Sequence, residues 1–115
     1  MLKVMNLIVK ERIIKMKLWL DDVRPSPYDY EYTALSVDAA KMMIQSAEEL
    51  GVKLELIDCD HDLGDYSKYG GDGVRLLDWL EQTNRNYPIR IHSMNPIGRE
   101  NMRRIIKRNG WTEII

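Results

Sequence analysis

The sequence predicts an α/β fold: a parallel five-stranded sheet in the order 2-1-3-4-5, in a three-layer sandwich whose first helix is reduced or missing. Three observations carry this. Apolar, β-prone runs alternate with amphipathic stretches of helical period, in the order β-loop-β-α-β-α-β-α-β, and such alternation favours a parallel sheet with right-handed crossovers. Between the first two runs stands Arg24-Pro25-Ser26-Pro27, which leaves no room for a helix. The chain has 115 residues, 44% of them hydrophobic and 30% charged, enough for one domain with its own core and too few for two.

The elements follow in order. Residues 1–16 read as an N-terminal extension ahead of a domain at 17–115, with Met16 as a candidate natural start. Lys17 to Asp22 is a strand ending in paired carboxylates, and Tyr30 to Ala34 is a short second strand. Ser36 suits an N-cap, Val37, Ala40, Met43, Ile44, Ala47 and Leu50 recur at helical spacing, and Gly51 suits a C-cap. Leu54 to Cys59 is the third strand and runs into Asp60-His61-Asp62-Leu63-Gly64. A loop from Asp65 to Gly73 follows, in which Asp72 suits the cap of a helix carrying Val74, Leu76, Leu77, Trp79 and Leu80. Pro88 to Ser93 is the fourth strand. Asn95-Pro96 opens the last helix, as N-cap and first helical residue, and Gly110 ends it. Trp111 to Ile115 reads as a fifth strand. In this order the sheet is flavodoxin-like.

Composition narrows the function classes. A net charge of −1 provides no global field to recruit nucleic acid or membrane. No apolar run approaches the roughly 20 residues of a membrane span, and residues 1–16 lack a signal-peptide pattern, so a cytoplasmic location is expected. The single cysteine, Cys59, excludes an intrachain disulfide and a cysteine-based zinc cluster, and its place late in an apolar strand suits a buried thiol. Charge is uneven along the chain. Residues 55–72 hold six acids against Lys68, and residues 99–108 hold Arg99, Arg103, Arg104, Lys107 and Arg108 against Glu100. Basic residues on a helix are usually solvated, so the second cluster is a weak nucleic-acid signal.

Ligands in open α/β sheets bind outside the carboxyl ends of the strands. There the first strand offers Asp21 and Asp22, the third Asp60, His61 and Asp62, and the fourth His92, Ser93 and Asn95. His61 and His92 are the chain's only histidines, and both fall on this edge. Two histidines facing one substrate can act as base and acid in opening a cyclic phosphodiester, with Asp62 orienting one of them. Each could instead make a structural hydrogen bond to a neighbouring carboxylate. Ser93, Asn95, Arg99 and Arg24, with the start of the last helix, suit a phosphate. Asp21, Asp22 and Asp60 form the oxygen-rich set that Mg²⁺ prefers, unless Arg24 and Arg99 neutralise them directly.

Leu18-Trp19-Leu20-Asp21-Asp22-Val23-Arg24-Pro25, Asp60-His61-Asp62-Leu63-Gly64 and His92-Ser93-Met94-Asn95-Pro96-Ile97-Gly98-Arg99-Glu100-Asn101-Met102 together resemble the cyclic-phosphate processing receiver-like domain family, from about Lys17 to Ile106. The resemblance implies a receiver-like fold and the binding or hydrolysis of cyclic phosphates, such as those on nucleotides or RNA termini. It places Asp21 and Asp22 where receivers hold Mg²⁺, Asp60 where they accept a phosphoryl group, and Ser93 at their hydroxyl position. A receiver's lysine at the end of strand five has no counterpart in Trp111 to Ile115, and His61 and His92 are not receiver residues. The expected function is therefore processing of a cyclic phosphate ester. The alternatives are a non-enzymatic sensor of a phosphorylated ligand and a degenerate receiver phosphorylated on Asp60.

Overall fold

The computed structural model describes residues 14–115, so residues 1–13 of the expected extension lie outside the described residues. Strand β1 (Lys15–Leu20) is followed by β2 (Tyr32–Ala34), helix α1 (Val37–Leu50) and strand β3 (Lys53–Cys59). A 3-10 turn (Gly64–Lys68) leads to helix α2 (Val74–Gln82), strand β4 (Ile89–Ile91) and helix α3 (Pro96–Asn109). The sheet is wholly parallel in the order β2-β1-β3-β4. Lys15 and Met16, assigned to the extension by sequence, are the first residues of β1, and Met16 is buried.

The fifth strand is the main departure. The segment after Gly110 lies beside β4, where a fifth strand belongs, but contributes a single bridge between Ile89 and Glu113. Ile89 N–H donates to the Thr112 carbonyl (3.0 Å) and Ile114 N–H to the Ile89 carbonyl (2.8 Å). Trp111 packs on the core and Glu113 takes a hydrogen bond from Arg103 Nε (2.9 Å), so side-chain contacts hold the segment in place of a ladder.

With right-handed crossovers, the connections from β2 to β3, from β3 to β4 and onward from β4 all fall on one face of the sheet. The three helices share that face, α1 packing on α2 and α2 on α3. The connection from β1 to β2 crosses the other face. It is the loop 21–31, as the prolines require, so irregular chain forms the third layer. Residues of alternate parity on β1 divide accordingly: Met16, Leu18 and Leu20 face the helices and join the core, and Lys17 and Trp19 face the loop. Each Leu or Ile buried in the helix-side core contributes roughly 1.5–3 kcal/mol.

The helix ends are as the sequence predicts at two helices and different at the third. Ser36 caps α1 by accepting from Ala39 N–H (3.1 Å), and Asn95 caps α3 by accepting from Gly98 N–H (3.0 Å). Gly51 and Gly110 close these helices at φ +71° and +66°, left-handed values that cost glycine least. Asp72 does not cap α2. Its Oδ1 accepts from Leu63 N–H (3.1 Å) and so ties the loop back to the end of β3. Among the described residues no helix is long and apolar enough to cross a membrane.

Candidate functional site at the carboxyl edge of the sheet

The parallel ladder continues past the strand ends and sets the site. Asp21 N–H donates to the Ala34 carbonyl (3.1 Å), Asp60 N–H to Leu20 (2.9 Å) and His92 N–H to Cys59 (3.0 Å). These three bonds hold Asp21, Asp60 and His92 side by side. Register pairs Trp19 with Asp58 and Asp58 with Arg90. Two-residue alternation then sets Trp19, Asp21, Asp58, Asp60 and His92 on the loop-covered face.

His92 is the centre of this group. Its Nδ1 lies 2.7 Å from Asp58 Oδ1 and its Nε2 2.9 Å from Asp21 Oδ2, with both carboxylates buried. Its ring stacks on Trp19 at 3.9 Å between centroids and 2° between planes. Tyr30, edge-on to Trp19, donates its hydroxyl to the other oxygen of Asp58 (2.5 Å). Burial, with the neighbouring Asp58 carboxylate, pushes the Tyr30 hydroxyl up to about 12, so it remains a donor. Each nitrogen of His92 therefore faces a buried carboxylate, and which nitrogen carries the proton depends on the tautomer.

Asp21 and Asp60 are neighbours with opposite shifts. Burial pushes the Asp21 carboxyl up, but the Arg24 and Val23 amides on its Oδ1 (2.9 Å each) and His92 outweigh burial and hold it below the usual range. Asp60 is pushed up, first by burial and then by the Asp21 charge, against the opposing pull of the His61 amide. The sign for stability follows. A raised folded value means that the folded chain binds this proton more tightly, so stability falls as pH rises through that value. Asp60→Asn is thus expected to raise the melting temperature by a few degrees at neutral pH in chelator, with the gain fading near roughly pH 3, where Asp60 is itself protonated. Thermal denaturation at the two pH values checks this.

Ligand atoms of Asp21, Asp60 and His92 lie within 4.8 Å of one another, a donor set that fits a divalent cation. Asp22, expected as a third oxygen ligand, is not in that set. Its carboxylate lies against Gly64, where an added Cβ would stand 2.6 Å from Oδ2. The reason is the turn: the Val23 and Arg24 amides bond to the Asp21 side chain, which directs Asp22 to the loop beyond β3.

His61 forms a second arm. Its Nδ1 is 2.7 Å from Asp62 Oδ1, and Asn95 Nδ2 donates to both Asp62 oxygens (3.2 and 3.4 Å). These bonds, from His61 first and Asn95 second, hold the Asp62 carboxyl below the usual range, so it is an ionised acceptor near neutral pH. With Nδ1 given to Asp62, Nε2 is the nitrogen open to a proton-transfer role. The ring rests on the first turn of α3, where a Cβ at Gly98 would meet its Cγ at 2.4 Å. Gly98→Ala is expected to keep α3, because alanine gains about 1 kcal/mol over glycine in a helix. It should displace the His61 ring, seen as shifted His61 ring resonances by NMR with a far-ultraviolet circular dichroism spectrum like that of the wild type.

The expected phosphate ligands divide. Asn95 Oδ1 caps Gly98 N–H, and its Nδ2 holds Asp62. Ser93 Oγ accepts from Asn95 N–H (3.1 Å), and Arg24 donates to the His92 carbonyl (3.2 Å). These three hold the loops together. Arg99 differs: its Nε is buried with no partner among the described residues. It borders a recess of about 430 Å³ with Pro96, Glu100 and Arg103. The other arginines of α3 are neutralised, Arg103 by Glu113 (2.9 Å), Arg104 by Glu100 (3.2 Å) and Arg108 by Glu81 (2.7 Å). Cys59 is buried, and burial pushes its thiol up, which keeps it an inert core residue.

Trp19, Tyr30, Asp58 and Gly98 escaped the sequence reading as site residues. Alternation on β1 and β3 was the available signal, since it aligns Trp19 with Asp21 and Asp58 with Asp60.

A comparison with curated proteins finds no match. The family profile described as the cyclic-phosphate processing receiver domain matches residues 16–108, from the first buried residue of β1 to the last turn of α3. That match spans the sheet, all three helices and every residue of the cluster just described. The chain therefore belongs to the family of cyclic-phosphate processing receiver domains.

Proposed function

We propose that this domain binds a cyclic phosphate ester, of a nucleotide or an RNA terminus, at the carboxyl edge of the sheet and hydrolyses it. The observation that carries the reading is the placement of His61. Its ring lies on the first turn of a 14-residue helix, against Gly98, and is oriented by an ionised Asp62; the next residue of that helix, Arg99, has a buried Nε with no partner among the described residues. A histidine beside a helix start supports the reading, because the helix dipole attracts an anion and an imidazole can transfer a proton.

In this reading His61 Nε2 takes a proton from the attacking water. The water oxygen bonds to phosphorus, one ring P–O bond breaks, and the leaving alkoxide receives the proton, giving a monoester and a hydroxyl. Arg99 and the Ile97 amide hold phosphate oxygens. Pro96 has no N–H, and the Gly98 and Arg99 amides already bond to Asn95. A divalent cation at Asp21 and Asp60 would supply positive charge for the phosphate. His92 lies between the buried Asp21 and Asp58 carboxylates and positions them, so in this reading proton transfer falls to His61 alone.

The test is a screen of 2′,3′-cyclic, 3′,5′-cyclic and related phosphate esters against the whole chain, with and without divalent cation, read by product analysis and thermal shift. Ring opening of one ester class supports the proposal. Stabilisation without turnover points to the phospho-ligand sensor. Neither effect with any cyclic ester overturns the proposal.

A further inference from the structure

We infer that His92 Nε2, Asp21 and Asp60 form a site for a divalent first-row transition-metal ion, with Asp58, Tyr30 and Trp19 built around it to present the imidazole. The inference rests on the same edge being the ligand site, and it changes the kind of metal expected there. The oxygen set of Asp21, Asp22 and Asp60 suggested Mg²⁺, but the structure substitutes an imidazole for the third carboxylate. Nitrogen donors favour the zinc, cobalt and nickel class over magnesium, which prefers oxygen and water.

The surroundings of His92 carry the argument. A metal-ligating histidine almost always gives its other ring N–H to a carboxylate or carbonyl, which fixes the tautomer and turns the free nitrogen to the metal. Asp58 is that partner, 2.7 Å from Nδ1 and 1% exposed, and it lies outside the ligand cluster. It is held in turn by the Tyr30 hydroxyl. The Trp19 ring, 2° from parallel with the imidazole, fixes its plane. With Nδ1–H donated to Asp58, a dication would take the place of the proton between Nε2 and Asp21 Oδ2, 2.9 Å apart, with the Asp60 carboxylate as the third donor. Three carboxylates, Asp21, Asp58 and Asp60, surround one imidazole, an excess of negative charge in a largely buried cluster. A dication between Nε2, Asp21 and Asp60 relieves it.

The experiment is titration of the chelator-treated chain with Co²⁺ alone, followed by its visible d–d absorption, with Zn²⁺ and Mg²⁺ as competitors. The expected result is one Co²⁺ per chain, displaced by Zn²⁺ and not by a large excess of Mg²⁺. His92→Ala should abolish the signal. Tyr30→Phe, which keeps the ring and the fold, should weaken Co²⁺ affinity about 10-fold, the lower end of the effect of outer hydrogen-bond partners. Circular dichroism confirms folding of both variants, and Tyr30→Phe decides if His92→Ala unfolds. Absence of Co²⁺ and Zn²⁺ binding to the folded chain, or binding unchanged in Tyr30→Phe and His92→Ala, overturns the inference. The titration uses no phosphate ester. Its failure therefore leaves the proposed hydrolysis by His61 standing, and loss of turnover with Co²⁺ bound counts against the hydrolysis alone.

Discussion

His61→Ala is expected to lower the turnover of a cyclic phosphate ester by about 10²–10⁴-fold, the usual contribution of a positioned acid–base group. The melting temperature should move by only a few degrees. The two expectations separate because of where the ring sits. Its side chain is 14% exposed and touches the first turn of α3 from outside the apolar core, so its removal opens little internal space. The hydrogen bonds that shape the loops do not pass through the ring: His61 N–H goes to Asp60 Oδ1 (2.8 Å), and its carbonyl accepts from Gly73 N–H (2.7 Å). Steady-state kinetics beside thermal denaturation checks both halves.

Gly73→Ala is expected to have the largest effect on stability. Gly73 has φ −53° and ψ −31°, values any residue adopts, so strain in its backbone is not the reason for glycine. Space is the reason. A Cβ there would lie 1.9 Å from the Asp60 carbonyl oxygen and 3.2 Å from His61 Cα. The obstacle is backbone that is itself tied to the sheet through Asp60 N–H and the Leu20 carbonyl (2.9 Å), so a side-chain rotation cannot relieve it. A forced separation of more than an ångström between the start of α2 and the end of β3 should cost about 3 kcal/mol or more. For a domain of this size that lowers the melting temperature by about 10 °C or more. Urea denaturation should show the loss in the midpoint with an unchanged slope. The same shift would move Asp60 and His61, so any Gly73→Ala protein that folds should also lose the Co²⁺ site.

Helix caps and core faces were legible in the sequence because local rules govern them. Ser36, Gly51, Asn95, Pro96 and Gly110 act through bonds within one turn of their own helix. The sheet order was legible because parallel strands joined by right-handed crossovers leave few arrangements. Asp21, Asp60, His61 and His92 could be placed on one edge for the same reason. The division of labour among them could not. Asp22 looked equivalent to Asp21 until the Val23 and Arg24 amides closed on Asp21 Oδ1 and turned Asp22 away. His61 and His92 looked like a matched pair, yet one is held by a single exposed carboxylate and the other lies between two buried ones. In the sequence Asp58 was one of six acids between residues 55 and 72, with no role of its own. Its meaning comes from Tyr30 and His92, which stand 28 and 34 residues away and meet it only through the fold. The fifth strand failed for a related reason, since a short β-prone run carries no sign of how many ladder bonds it will make.

The central claim is that the edge bearing His61 and Arg99 acts on a cyclic phosphate. The most direct measurement follows 2′,3′-cyclic nucleotides by phosphorus NMR in the presence of the wild-type chain and, separately, of His61→Ala. Conversion of the cyclic resonance to that of a monoester by the wild type, with loss of about 100-fold or more in the variant, is the predicted result. Conversion at the same rate by both proteins would contradict the account.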